Sequence, residues 1–306
     1  MPLRLQWPNT IGETPAGAAP AVAPVSVVIP AYNRADALRR ALESVLAQRL
    51  RPAEIIVVDD ASSDRTGAVA EEMGARVIRH ERNLGEGAAR NTAIAAATQP
   101  WLALLDSDDE WLPGHIASLW EARGEHVLVA TSAIRRSEGA QPDRLHGPPD
   151  QRPLFLRTPA DIVFPENPVP VSAGLIRRDA AEKAGQYKQL RHCADFDFLL
   201  RVLEHGTGVV LPDVGVIYHV HAGQVSHERQ AMKQAQLRIA RSYAHRPWYS
   251  RAQVRRWRAA MAWDMYRLEG GARRALALAR PWHLAPLARL WWWRFKLRRR
   301  SARVTV

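Results

Sequence analysis

The sequence predicts an α/β fold in which a mostly parallel sheet is flanked by helices and followed by a basic helical extension. Three observations lead to this prediction. Short apolar segments alternate with helix-like segments over residues 25–105, as in successive β-α-β units. Acidic residues follow two of the apolar segments, at Asp59-Asp60 and again at Asp106-Ser107-Asp108-Asp109. Basic residues are concentrated beyond residue 250.

The alternation predicts the elements of the first half of the chain. The expected strands are Val25–Ile29, Glu54–Val58, Arg76–Ile78 and Trp101–Leu105. The expected helices are Ala35–Gln48, a segment capped by Ser62 or Ser63 that ends near Met73, Glu86–Ala97, and one starting near Leu112. Ligands of such sheets bind beyond the carboxyl ends of the strands, so both acidic groups stand where a site is expected.

The second half is less regular. A strand is expected at Val127–Thr131, followed by a Pro-rich stretch, Gln141–Pro170, with little regular structure. A strand at Val171–Ile176, a short helix at Arg178–Ala184 and a helix at Ala194–Glu204 follow. From Glu228 onward the chain is expected to be helical.

Composition narrows the class of protein. A chain of 306 residues can form one large domain with a smaller appendage. Its single cysteine, Cys193, allows no internal disulfide, which fits a reducing compartment and a small buried side chain better than a nucleophile. No segment resembles a secretory signal and no apolar run approaches the roughly 20 residues of a membrane span. A cytoplasmic protein is therefore expected.

The net charge of +12 belongs to the C-terminal part of the chain. From Arg251 onward there are 15 Lys and Arg against two acids, which leaves the preceding 250 residues close to neutral. The stretch Arg289–Arg300 interleaves arginines with tryptophans. It could lie on an anionic membrane surface, pack its tryptophans on the main domain, or contact nucleic acid. The membrane is the favoured partner and nucleic acid the least favoured one.

The segment LLDSDDEW, Leu104–Trp111, carries the sharpest chemical signal. Three carboxylates within four residues repel each other unless a cation or hydrogen-bond donors compensate. Mg²⁺ and similar hard cations are held by one or two carboxylates together with substrate phosphates. An EF-hand is excluded because Trp111 occupies the position of its required glycine. The alternative is a solvated acidic turn that caps the next helix.

Two other motifs have simpler interpretations. Asp59 and Asp60 could cap the following helix, with help from the nearby serines. Gly85 and Gly87 follow a strand, but the third glycine of a dinucleotide-binding fingerprint is missing and the strand is the third one instead of the first. A dinucleotide site is therefore rejected.

Taken together, the motifs resemble the family-2 glycosyltransferases of the GT-A fold. The resemblance rests on PVSVVIPAYNRADALRRALESVLAQ, EIIVVDDASSDRT, NLGEGAARNTAI and LALLDSDDEWLPGH, with GQYKQLRHCADFDFLLRV and IYHVHAGQVS further along. It covers roughly residues 24–230. It implies a catalytic domain at 24–227 with a nucleotide-sugar half (24–131) and an acceptor half (132–227). The composition predicts the flanking regions: an Ala- and Pro-rich flexible leader at 1–23 and a basic, Trp-rich helical region at 228–306.

The resemblance also implies roles for individual residues. The nucleotide would be bound by Pro30, Ala31, Tyr32, Asn33, Asp60, Arg90, Asp106 and Asp108. A divalent metal, Mn²⁺ or Mg²⁺, would be held by Asp108, Asp109 and His221. Asp195 would be the catalytic base that deprotonates the acceptor hydroxyl. Two positions depart from the family pattern: Ala194 replaces an acidic residue, and His219 stands where the family has an arginine.

The expected function is transfer of a sugar, with inversion, from a nucleotide diphosphate donor, UDP-sugar by preference, to a hydroxyl of a glycan or lipid-linked acceptor. Such a role belongs to polysaccharide or cell-envelope biosynthesis, with the enzyme peripheral on the inner face of the membrane. Two alternatives stay open. One is a non-catalytic glycan- or membrane-binding protein with a relict site. The other is a nucleotidyltransferase, although Pro30–Asn33 stands where that class carries a Gly-rich phosphate loop.

Overall fold

The computed structural model of the chain describes residues 21–137, 144–148, 151–163, 167–221 and 228–252. The predicted leader, apart from residues 21–23, and the basic segment Arg289–Arg300 lie outside the described residues.

Ten strands in the described part of the chain form one sheet. They are β1 (Val22–Ala31), β2 (Arg51–Asp59), β3 (Arg76–Arg79), β4 (Trp101–Leu104), β5 (Glu110–Trp111), β6 (Leu128–Ser137), β7 (Arg144–His146), β8 (Leu154–Leu156), β9 (Gly174–Arg177) and β10 (Gly208–Val220). Their order is β3-β2-β1-β4-β9-β6-β10-β5, with β7 against β6 and β8 against β10. Pairing is parallel from β3 to β4 and between β6 and β10, whereas β9 runs antiparallel to both its neighbours. The predicted mostly parallel α/β sheet is confirmed.

Within the described ranges, seven α-helices cover the two faces of the sheet. They are α1 (Ala35–Leu46), α2 (Thr66–Glu72), α3 (Glu86–Ala96), α4 (His115–Ala122), α5 (Arg178–Ala184), α6 (Ala194–Val202) and α7 (Arg229–Ser242). The core falls into two apolar clusters, one on each face. One includes side chains of α3, α5, α6 and α7, and the other includes side chains of α1 and α4. Strand β1 contributes side chains to both clusters, because successive side chains of a strand point to opposite faces: Val28 packs in the first cluster, and Val27 and Ile29 pack in the second.

The strand order places a switch point between β1 and β4. The chain leaves β1 for β2 on one side and returns to β4 on the other. Parallel sheets form a ligand crevice at such a point, beyond the carboxyl ends of the strands. The residues that follow β1, β2 and β4 therefore share one edge of the sheet.

In the second half of the chain, the structure differs in detail from the sequence-based expectations at three places. The stretch 141–170 contains β7, β8 and a 3-10 turn at Pro159–Ile162. The strand expected at Val171–Ile176 starts only at Gly174, after another 3-10 turn. The long strand β10 was not predicted, because Pro212, Asp213 and Gly215 interrupt its apolar pattern. The structure accommodates them with register shifts between Val210 and Val216.

The expected serine cap of α2 is also wrong. The helix begins at Thr66, and the carboxylate of Asp64 accepts from the Thr66 backbone N–H. Ser62 and Ser63 instead bond to Asn33 in the loop after β1. Similarly, α4 begins at His115 instead of near Leu112, because Glu110–Trp111 is used as strand β5.

Candidate active site

The loops after β1 and β2 are tied together beside the switch point. The Asn33 backbone N–H donates to Ser62 Oγ at 2.9 Å, and the Ser63 N–H donates to Asn33 Oδ1 at 2.8 Å. Asn33 adopts a left-handed φ of 50°, a conformation that asparagine tolerates better than most residues. Pro30 and Ala31 end β1, and Tyr32 is exposed at the edge. Pro30 and Ala31 thus form the buried end of β1, and Tyr32 and Asn33 form the exposed turn that follows it.

Asp60 is buried directly behind this turn. Its Oδ1 lies 2.6 Å from Nδ1 of His80 and accepts from the Leu84 N–H at 2.9 Å. Its Oδ2 accepts from the Gly85 N–H at 2.7 Å. His80 is held from its other side by Thr92 Oγ1, 2.9 Å from Nε2. The interpretation of Asp60 as a helix cap is wrong, since its carboxylate fixes the loop before α3.

Arg90, on α3, is a buried cation surrounded by carboxylates. Its Nη2 donates to Asp106 Oδ1 at 2.5 Å and also to Glu86. Burial lowers the pKa of the guanidinium, but Glu86 and Asp106 outweigh burial and hold that pKa above its ordinary value. Burial raises the pKa of Asp106 to about 7, against the opposing charge of Arg90. The pair joins α3 to the end of β4.

The two remaining carboxylates of the acidic segment have different surroundings. Asp109 is fully buried: Ser172 Oγ donates to its Oδ2 at 2.5 Å, and the His219 N–H donates to its Oδ1 at 3.1 Å. Burial raises the pKa of Asp109 well above its ordinary value. The Asp108 side chain is 19% exposed, and its Oδ2 lies 2.9 Å from Nε2 of His221. Asp109 therefore holds the end of β10, while Asp108 and His221 face the site.

His219 and His221 lie on the same side of the chain, as an extended segment predicts. Nε2 of His219 is 2.8 Å from Oε1 of Glu110, next to the Asp108–His221 pair. Glu110 was not singled out from the sequence, although it directly follows Asp109. His219 thus contacts Glu110 of β5, and His221 contacts Asp108 in the turn after β4.

Asp195 lies in the first turn of α6, behind Cys193, which adopts a left-handed φ of 60°. Burial raises the pKa of Asp195, and the charge of Arg90 opposes that rise. Asp197, one residue beyond Phe196, is fully buried and engaged by Lys188 and Arg201. The structure therefore separates the two aspartates: Asp197 fixes the helix, and Asp195 stands within the field of Arg90.

Cys193 is buried, and burial raises the pKa of its thiol to about 12. Its Sγ packs 3.8 Å from Sδ of Met232 on α7. A thiol that stays protonated is a poor nucleophile, which agrees with the expectation of a small buried side chain.

Asp108 and His221 offer ligands that suit a cation that also binds phosphate oxygens. Among the described residues there is no group of three or more His, Cys, Asp or Glu that could hold a metal ion by itself. Asp108 and His221 nevertheless converge at 2.9 Å and are both partly exposed. One carboxylate and one imidazole leave most coordination positions to the substrate, as Mg²⁺ and Mn²⁺ sites at diphosphates do. No helix within the described ranges is long and apolar enough to cross a membrane.

Comparison with known proteins gives consistent results. The sequence model of the family described as Glycosyl transferase family 2 matches residues 26–185. The succinoglycan biosynthesis protein ExoO of Rhizobium meliloti (strain 1021) is 31% identical over 225 residues, 66% of this chain and 62% of that protein. ExoU of the same organism is 34% identical over 202 residues, 60% of this chain and 57% of that protein. The chain thus spans less than two thirds of the length of these two relatives.

One further relative and one solved structure are also similar to the chain. The pre-mycofactocin glycosyltransferase of Mycobacterium tuberculosis (strain CDC 1551 / Oshkosh) is 31% identical over 218 residues, 66% of this chain and 43% of that protein. Among solved structures, S. aureus TarS 1-349 in complex with UDP-GlcNAc superposes with a TM-score of 0.62 at 16% identity. That match covers 83% of this chain and 79% of the TarS chain. At this identity the match concerns the fold.

Proposed function

The chain belongs to glycosyl transferase family 2, and from this premise we propose that it transfers a sugar from a nucleotide diphosphate donor to an acceptor hydroxyl. A UDP-sugar is the favoured donor and a glycan or lipid-linked glycan the favoured acceptor. The transfer is a single displacement that inverts the anomeric centre, with a divalent metal at the diphosphate and Asp195 as the base.

The position of Arg90 is the observation that carries this proposal. Arg90 is buried on α3, pairs with Asp106 at the end of β4, and acts electrostatically on Asp195 at the start of α6. Elements from the first half of the matched domain (α3 and β4) and from the second half (α6) therefore have one buried cation in common, which supports the proposal. Sugar transfer requires positive charge near the diphosphate, which leaves as an anion, and a base on the opposite side of the sugar.

On the donor side, the turn Pro30–Asn33 and Asp60 are proposed to bind the nucleobase. Tyr32 is exposed and available to cover a planar ring. Asp60 is already fixed by His80 and two backbone N–H groups, yet a carboxylate offers about four lone-pair sites. At least one site of Asp60 thus stays available for an N–H of the base.

At the diphosphate, we propose that Asp108 and His221 hold the metal. When bound, the metal would supply positive charge to the leaving diphosphate. Asp109, which was also expected as a ligand, is proposed to act indirectly: its buried oxygens bind Ser172 and the His219 N–H. Asp109 thereby sets the position of the strand end that carries His221.

On the acceptor side, Asp195 is proposed to take the proton of the attacking hydroxyl. Its burial raises its pKa, and a carboxylate with a raised pKa is a stronger base. Loss of a positioned base typically costs roughly 10²- to 10⁴-fold in rate. Ala194 replaces the acidic residue of the family beside it, so one carboxylate acts alone on the attacking hydroxyl.

The acceptor class is proposed from the relatives and from the charge of the chain. Two relatives carry the name succinoglycan biosynthesis protein, which favours a growing polysaccharide. The basic, Trp-rich segment Arg289–Arg300 is proposed to hold the enzyme on an anionic membrane, where lipid-linked acceptors reside. Liposome flotation of the full chain against a version ending at Arg280 tests this: equal flotation of both would contradict a role for that segment.

The catalytic proposal is tested by release of nucleoside diphosphate from UDP-glucose, UDP-galactose and UDP-N-acetylglucosamine, with Mn²⁺, with Mg²⁺ and with EDTA. Release that needs metal and is lost in both Asp108→Ala and His221→Ala supports the assignment. Asp36→Asn, an exposed aspartate in the first turn of α1, is the matched control and should keep full activity. A protein that binds none of these donors, by calorimetry, would favour the alternative of a relict binding site.

A further inference from the structure

Tyr187 is a buried side chain whose ring lies beside Arg90 of the candidate active site. Its side chain is 3% exposed, and its hydroxyl has no hydrogen-bond partner among the described residues. The same holds for Nε of Arg90. Buried polar groups are nearly always paired, and leaving one unpaired costs about 1–3 kcal/mol. Among the described residues, two adjoining side chains, with the Arg90 guanidinium carbon 5.4 Å from the centroid of the Tyr187 ring, therefore each carry a buried donor without a partner.

The position of Tyr187 is strongly fixed. The side chain of Asn91 on α3 bonds both its backbone groups, with Oδ1 accepting from the Tyr187 N–H at 2.6 Å and Nδ2 donating to the Tyr187 carbonyl at 3.0 Å. The ring stacks on Phe198 of α6 with centroids 4.1 Å apart. The guanidinium carbon of Arg90 lies 5.4 Å from the ring centroid. The hydroxyl is therefore held between α3 and α6 and cannot turn away to find another partner.

The charged neighbours of Tyr187 are those of the active site. Burial raises the pKa of the phenol, and the charges of Asp195, Asp106 and Glu86 raise it further against the opposing Arg90. The hydroxyl thus stays protonated and can donate. It shares its surroundings with the proposed base and with the carboxylate at the end of β4.

The hydrogen-bond donors and acceptors around Tyr187 match the hydroxyl groups of a sugar. Carboxylates only accept hydrogen bonds, whereas Tyr187 and the free Nε–H of Arg90 can donate. A sugar hydroxyl both donates and accepts, so neighbouring hydroxyls of one sugar ring can satisfy both kinds of group. A sugar carboxylate, in contrast, would add a like charge beside Asp106 and Asp195.

We propose that the Tyr187 hydroxyl is a donor reserved for a hydroxyl of the transferred, uncharged sugar, and that Tyr187 is a specificity-determining residue of the enzyme. The inference rests on the proposed function, because it assumes that a nucleotide sugar occupies the site. It assigns to the sugar a contact that the nucleotide does not make.

The test is calorimetric binding of the nucleotide sugar and of UDP alone, both with Mn²⁺, to wild type and Tyr187→Phe. The nucleotide sugar is whichever of UDP-glucose, UDP-galactose and UDP-N-acetylglucosamine the wild type binds most tightly. The Phe variant should bind it about 3- to 10-fold more weakly, as expected for one lost hydrogen bond, and should bind UDP as well as wild type does. Phenylalanine keeps the ring stacked on Phe198, so the fold should be preserved. Tyr249→Phe, which removes a hydroxyl outside the site, is the control and should change neither affinity.

The other outcomes are distinguishable. Unchanged affinity of Tyr187→Phe for both ligands would overturn the inference and leave the proposed function intact, because the wild type would still bind the donor. An equal loss for UDP and for the nucleotide sugar would also overturn it, since the hydroxyl would then act through the nucleotide or the fold. A wild type that binds UDP but gains nothing from any attached sugar would overturn the inference and the proposed donor together.

Discussion

Nε2 of His221 lies 2.9 Å from Oδ2 of Asp108, so that the end of β10 closes onto the acidic turn after β4. The neighbouring carboxylate, Asp109, receives the backbone N–H of His219 from the same strand. Two adjacent aspartates thus bind one strand in different ways. Asp109 is fully buried and fixes the position of the end of β10, whereas Asp108 and His221 are partly exposed and accessible to a substrate.

The role of Asp109 can be tested at Ser172, which is fully buried. Ser172 Oγ donates to Asp109 Oδ2 and accepts from the Asp106 N–H at 3.1 Å. Ser172→Ala should lower the free energy of unfolding by about 2 kcal/mol, because two buried groups lose a partner. Urea denaturation measures this. Ser118→Ala on α4 is the control, and an equal, small effect of both substitutions would contradict a structural role for Asp109.

The second prediction concerns His80, whose Nδ1 lies 2.6 Å from Asp60 Oδ1. His80→Ala should weaken UDP binding by about 10-fold, equivalent to about 1.4 kcal/mol, because Asp60 would lose the side chain that orients its carboxylate. Calorimetry with UDP measures the effect. His126→Ala, which lies just before the amino end of β6 and not beyond the carboxyl ends of the strands, should bind UDP like wild type. If His80→Ala also bound UDP normally, Asp60 would not be the base-binding group.

Asp60 and His80 show which parts of the site could be predicted from the sequence and which could not. The strand-end positions of Asp60, Asp106 and Asp108 follow from the alternation of apolar segments, because parallel strands end at one edge. The partner of Asp60 does not follow from it. His80 comes one residue after β3, and only the observed packing against Thr92 and Asp60 reveals its contact.

The difference between Asp108 and Asp109 was equally hidden in the sequence. Both residues look like metal ligands as a pair, and their burial depends on β10 and on Ser172, which are about 60 to 110 residues away along the chain. The strand β10 itself escaped prediction because Pro212 and Gly215 are typical of turns. Here the parallel pairing with β6 outweighs local propensity.

The third prediction is a pH dependence of stability from His115. The imidazole is buried beside Trp111, with Nδ1 3.1 Å from Thr131 Oγ1. Burial lowers its pKa from 6.5 to about 3. Below pH 6.5 the unfolded chain therefore binds a proton that the folded chain does not, and stability is lost as pH falls toward 3. The slope contributed is at most about 1.4 kcal/mol per pH unit.

His115→Gln should flatten this part of the profile, because glutamine does not titrate. Denaturation of both proteins between pH 4 and 8 measures the difference, in which the shared contributions of the buried aspartates cancel. Parallel profiles for wild type and variant would contradict this account, because they would show that His115 binds its proton equally well in the folded and the unfolded protein.

The fourth prediction concerns the attachment of α7 to α6, the helix that carries Asp195. Tyr243, just after α7, donates from its hydroxyl to Asp197 Oδ1 at 2.9 Å. Tyr243→Phe should lower the melting temperature by about 2–4 °C, as for the loss of about 1 kcal/mol. Tyr249→Phe should leave it unchanged. Equal melting temperatures of wild type and both variants would show that Lys188 and Arg201 hold Asp197 without Tyr243.

The central claim is that Asp195 is the base, and one comparison addresses it most directly. The affinity for a UDP-sugar and its metal-dependent turnover are measured for wild type and Asp195→Asn. We predict an affinity within about 3-fold of wild type and a turnover reduced by roughly 10²-fold or more. Asparagine that retains wild-type turnover would contradict the assignment of Asp195, whatever its affinity for the donor.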